Sequence, residues 1–153
     1  MLEPARLIWA NNLDSPADLT LTGTGYSPPI PLDHTAAVFL SVVIGDPPQD
    51  MKQLIEEEGE ALLTVSLQVC DAGGTWLPVA SLEPRWDPNP PPGPHFIAQP
   101  NGRVSVGLFG CSVSMVLPSV GRIRWDAFRF DRASGHGWVP ATFGQTVISL
   151  YGR

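Results

Sequence analysis

The chain has 153 residues, 43% hydrophobic and only 16% charged, with nine basic against fifteen acidic side chains for a formal charge of −6. That length suits one domain burying roughly 70% of the surface its unfolded form exposes, and the apolar content argues against disorder. The acidic balance argues against nucleic acid as a direct partner.

The charge is uneven. Residues 1–93 hold three basic and thirteen acidic groups, and residues 94–153 hold six and two. Such asymmetry either draws like subunits together through opposite faces or marks two solvated surfaces. Lys52 is the one lysine beside eight arginines, a bias that either heat adaptation or a GC-rich genome produces. Met1–Asn12 lacks the basic start and long apolar run of a secretory signal. No stretch approaches eighteen uninterrupted apolar residues, so no membrane span is expected.

In chain order, Leu7–Trp9 and Leu19–Leu21 are short strand candidates separated by the turn-rich Asn11–Pro16. Gly23–Pro31 reads as a loop, because Pro28, Pro29 and Pro31 break any ladder. Ala36–Ile44 (AAVFLSVVI) is continuously apolar, the pattern of a strand buried on both faces. Asp50–Glu58 is the one plausible helix, with capping-box spacing between Asp50 and Gln53 and Gly59 to end it.

Leu62–Cys70 alternates Leu63, Val65, Leu67 and Val69 against Thr64, Ser66 and Gln68, a half-buried strand. Asp71–Gly74 is a hairpin turn, and Trp76–Leu82 returns. Pro84–Pro100 then holds seven of the seventeen prolines. Proline fixes φ and donates no hydrogen bond, so this span is expected as a stiff extended arm outside any ladder. Ordinary connections take about two to six residues; an arm of this length that also carries Trp86, Phe96 and Ile97 reads as built to lie against another chain.

Arg103–Leu108, Cys111–Leu117, Arg122–Phe130 and Gln145–Tyr151 complete eight to ten strands, with a bulge expected near Ala127 where the alternation slips. The fold class expected is all-β: a single-domain antiparallel sandwich or barrel over residues 1–153, with one short helix and the proline-rich arm at 84–100.

Constellations for chemistry are sparse. His34, His95 and His136 lie far apart and fit no metal-ligand spacing. Cys70 and Cys111 sit in apolar strand patterns and read as buried reduced thiols, with a disulfide between them the alternative. Asp71 with Gly73 and Gly74 hints at a calcium loop but reads better as a turn. Glu56, Glu57, Glu58 and Glu60 read as a solvated face. No catalytic, cofactor or metal residue is expected. Of the tryptophans, Trp76 is expected in the core, whereas Trp86, flanked by prolines, reads as an interface anchor.

A strand ending in a D-x-G-G-T-W turn (Leu62–Leu82), an R-x-R-W strand (Arg122–Trp125) and a closing V-x-x-L-Y-G strand (within Thr142–Arg153) resemble β-rich virion proteins of tailed bacteriophages. The likeness is greatest to head decoration proteins and covers about a third of the chain. The resemblance implies a homotrimer made in the host cytoplasm. It would bind the major capsid protein on the outside of the expanded capsid and stabilise the head, with a thermophilic host one expectation. It also implies an N-terminal arm, for which Met1–Trp9 is the positional match. The interface residues expected are Leu7, Ile8, Trp9, Trp86, Pro90, Pro91, Pro92, Phe96 and Ile97. The proline-rich arm and the acidic insertion Asp46–Glu60 depart from the simpler family members. A tail or neck connector remains an alternative. So does a carbohydrate-binding module stacking sugars on Trp76, Trp86 or Trp138.

Overall fold

The computed structural model describes residues 5–14, 17–46, 61–82, 84–85, 96–98, 104–105, 109–112, 119–131 and 135–153. Within them the elements are β1 Arg6–Ala10, a single helical turn α1 Asn11–Asp14, β2 Leu21–Tyr26, β3 Ile30–Pro31 and β4 Ala37–Asp46. They continue with β5 Ala61–Cys70, β6 Trp76–Leu82, β7 Pro84–Arg85, β8 Phe96–Ala98, β9 Val104–Ser105 and β10 Phe109–Ser112. β11 Val120–Asp131, β12 Gly137–Pro140 and β13 Thr142–Gly152 complete the chain. The protein is all-β and its pairing is mostly antiparallel.

The strands form two layers. In one, β6, β5 and β11 lie side by side, and the far edge of β11 is paired in series by β3, β2 and β12. In the other, β13 is flanked by β4 on one side and β1 on the other, and β10 and β9 take the far edge of β4. β2 joins the layers, because Gly23–Tyr26 pair with β11 while Leu21 and Thr22 pair with β13.

Period-two alternation sends one face of each long strand into a single core. Val38, Leu40, Val42 and Ile44 of β4 meet Leu63, Val65, Leu67 and Val69 of β5, Ile123 and Ala127 of β11, and Phe143, Ile148 and Leu150 of β13. Burial of each larger side chain is worth roughly 1.5–3 kcal/mol. At Gly25 a Cβ would run into the indole of Trp125 opposite. Glycine here is what admits a tryptophan to the inner face.

Where β13 lacks a strand partner between β1 and β2, the side chain of Asn11 substitutes for one. Its Oδ1 accepts from Ile148 N at 2.8 Å and its Nδ2 donates to Thr146 O at 2.8 Å. Leu19 O accepts from Thr146 N at 2.8 Å. These bonds satisfy backbone groups that would otherwise interrupt the ladder.

Several expectations are corrected. Gly23–Pro31 is largely strand: β2 ends at Tyr26, and Pro31 sits on the edge of β11, where its missing N–H costs nothing. Leu19 and Thr20 precede the ladder rather than form it. β4 is buried on one face only, since Val43 is 50% exposed. β11 pairs with β5 without interruption from Gly121 to Arg129, so no bulge sits at Ala127. Register shifts fall instead between Leu7 and Trp9 and between Leu67 and Gln68.

The ends of the proline-rich span do join a ladder: Pro84–Arg85 pair in parallel with Phe96–Ile97, and β8 pairs antiparallel with β9. Pro84 pairs at the edge without an N–H to give, while Arg85, Phe96, Ile97 and Ala98 keep theirs, so the proline argument fails at the flanks of the span. Trp86, His95 and Pro90–Pro92 lie outside the described residues, as does the expected helix Asp50–Glu58.

Candidate functional site

The outer face of the β5–β11 layer carries the most elaborate side-chain arrangement among the described residues. Even-numbered residues of β11 point outward there, opposite the inward Gly121, Ile123 and Ala127. Antiparallel register fixes their neighbours: Arg122 lies opposite Gln68, and Arg124 lies between Ser66 and Tyr26. Asp126 lies between Thr64 and Thr24, and Trp76 is paired with Cys70 one strand further out.

The side chains lean sideways across the strands. The Arg122 guanidinium carbon is 4.1 Å from the Trp76 ring centroid and 4.3 Å from that of Tyr26. Its Nε donates to Gln68 Oε1 at 2.8 Å. Arg124 approaches Tyr26 at 5.7 Å and forks onto Asp126, with Nε at 3.0 Å and Nη2 at 3.2 Å from the carboxylate. Thr24 Oγ1 donates to Asp126 Oδ1 at 2.7 Å.

Beneath this cover Ser66 and Gln68 are buried although they lie on the outer face. The hydrogen bond that Arg124 donates to Asp126 holds its guanidinium above its ordinary pKa, against the lowering effect of burial and with help from the Coulombic attraction. A raised arginine pKa stabilises at every pH below the unfolded value and is lost only on passing the folded one, far into alkali.

The row continues to an aromatic end. Phe128 and Phe130 of β11 face outward opposite Pro140 and Trp138, and the Phe130 and Trp138 rings meet edge to face at 5.5 Å. Trp138 remains 53% exposed.

The opposite layer presents a different outer surface. There Leu7, Tyr151 and Phe39 line up across β1, β13 and β4, followed by Ser149 with Ser41 and Val147 with Val43. None of these side chains is charged, and Leu7 and Val43 stay 45% and 50% exposed.

Set against the sequence, the expected N-terminal arm divides. From Arg6 onward it is a strand of the protein's own sheet, and Met1–Pro4 lie outside the described residues. The register shift at Ile8 lets two successive residues turn inward. Trp9 is buried and donates its indole N–H to Asp14 Oδ2 at 2.6 Å, and Ile8 packs against the core. Leu7 alone of the three faces out. Phe96 and Ile97 are placed in β8.

Trp76 is not core but half-buried on the outer face against Arg122. Cys70 shares that outward phase, half-buried and free, rather than sunk in the interior. Asp71 acts as a turn residue, its Oδ1 accepting from Gly73 N at 2.9 Å and Thr75 N at 2.8 Å. Among the described residues no three His, Cys, Asp or Glu side chains converge.

Sequence reasoning missed the Arg122 row. One signal was present: if Val69 points inward, Cys70 points outward, and so does its hairpin partner Trp76.

Comparison with protein-family models, with curated proteins and with solved structures finds no match to this chain.

Proposed function

We propose that this protein is a structural virion component, a decoration subunit that assembles as a trimer on the outside of an expanded phage capsid and stabilises it. The observation that carries its docking role is the concentration of Trp76, Tyr26, Arg122, Arg124 and Trp138 on one sheet face. Tryptophan, tyrosine and arginine are the residues in which protein-interface energy concentrates. Here they are prearranged by sheet register, so little side-chain freedom is lost on docking.

The uncharged face bearing Leu7, Phe39, Val43, Val147 and Tyr151 suits contacts between copies, because charge is depleted at interface centres. The capsid setting rests on the resemblance of Leu62–Leu82, Arg122–Trp125 and Thr142–Arg153 to head decoration proteins. A subunit that binds the expanded shell and not its precursor stabilises that state by mass action.

Purified protein mixed with expanded and unexpanded capsids tests the reading. Binding to expanded particles with a trimeric mass by light scattering is expected; a monomer that binds neither particle overturns it.

The exposed ring of Trp138 also favours a second reading, a sugar-stacking module. Trp76 suits that role poorly, since one of its faces is occupied by Arg122. Fluorescence changes on a glycan panel that vanish in Trp138→Ala would select it.

A further inference from the structure

We infer that Arg122 is a preorganised receptor for a carboxylate, an Asp or Glu side chain on a partner protein. The inference deepens the docking role proposed above by naming the chemistry that face receives.

Two aromatic rings flank the guanidinium at 4.1 and 4.3 Å, and Gln68 holds its Nε at 2.8 Å. Its position is therefore constrained on three sides. Among the described residues no acceptor is bonded to its two terminal amino groups. A guanidinium offers five N–H donors in a planar fork that matches a carboxylate bidentately. One is engaged, and the outer edge keeps four. The two rings attract the cation and partly shield it from water, which strengthens a charge-assisted bond made at that edge.

The neighbouring charges select the ligand. Arg124 is already matched by Asp126, and Thr24 bonds the same carboxylate. Among the described residues the site therefore carries one positive charge without a carboxylate partner, which suits a singly charged carboxylate. A phosphate dianion or a nucleic-acid backbone calls for several cations together, and this site offers one. Arg122 differs from Arg124 in this respect: both lie on one strand face, but among the described residues only Arg124 has a carboxylate on its fork. A lysine at the same place would keep the charge and lose both the fork and the flat stack.

The test follows the Arg122 Nε–H and Trp76 indole N–H resonances of the full-length labelled protein. The probe is a short acetylated, amidated tri-glutamate peptide, compared with its tri-glutamine counterpart and with inorganic phosphate. Both resonances are expected to shift with the glutamate peptide and not with the glutamine one. Arg122→Lys is expected to weaken the peptide about tenfold or more, with melting temperature and circular dichroism confirming that the variant is folded.

Equal shifts from the glutamine peptide, tighter binding of phosphate, or unchanged affinity in Arg122→Lys would each overturn the assignment. Should Arg122→Lys misfold, the wild-type resonances still decide. A dilution series in which the same resonances move without peptide identifies a second copy of this chain as the carboxylate donor. Movement with peptide alone identifies a different protein. Capsid binding is a separate readout, so a receptor that binds peptide while the protein ignores capsids removes the virion role and leaves the carboxylate site standing.

Discussion

The layer built on β4 and β13 and the layer built on β5 and β11 share an inner logic and differ outside. Both send alternate aliphatic side chains into one core, and both are held by long uninterrupted antiparallel registers. Outside, one shows neutral pairs such as Val43 with Val147 and Ser41 with Ser149, and the other shows arginines laid across aromatic rings. The inner faces have to be interchangeable in chemistry because they meet each other. The outer faces are free to diverge, and their divergence is where function is written.

Substitutions can break or sharpen that contrast. The largest effect is expected inside: Leu67→Ala, at a fully buried position, should cost about 2–5 kcal/mol in denaturant unfolding. Gly25→Ala should cost about 1–3 kcal/mol, since the new methyl group competes with the Trp125 indole, and near-UV circular dichroism should report the displaced ring. Asn11→Ala should also cost about 1–3 kcal/mol by orphaning Ile148 N–H and Thr146 O, with amide exchange accelerated at Ile148.

Outer-face changes should act on association instead. Val43→Glu should lower the oligomer mass in light scattering while shifting stability by less than about 1 kcal/mol; an unchanged mass would remove the neutral face from self-contact. The smallest effect is expected from Arg124→Gln. That pair is partly exposed and should contribute about 0–1 kcal/mol, screened by salt. Because the arginine's pKa is raised, its share of that stability should stay constant from pH 6 to 9.

The long strands were legible because burial imposes alternation directly on the sequence, as at Leu63, Val65, Leu67 and Val69. The hairpin at Asp71–Gly74 was legible because its turn is made by local hydrogen bonds. β2 was not. Its glycines read as loop punctuation, although Gly25 is there to receive Trp125, a residue a hundred positions away. β4 was read as buried on both faces because its outward Val43 is as apolar as its inward neighbours, and composition cannot tell an exposed valine from a buried one. The Arg122 row was hidden for a related reason. Its members come from β2, β5, β6 and β11, and only cross-strand register makes them neighbours.

β13 lies between β4 on one side and β1 and β2 on the other, yet it is the latest of these strands to be synthesised. A nascent chain that has already emerged through β12 still lacks the keystone of its second layer, leaving Val38, Leu40, Val42 and Ile44 without their central neighbour. Completion of the second layer therefore waits for the last strand, whose Ile148 and Leu150 pack into the same cluster as those four side chains.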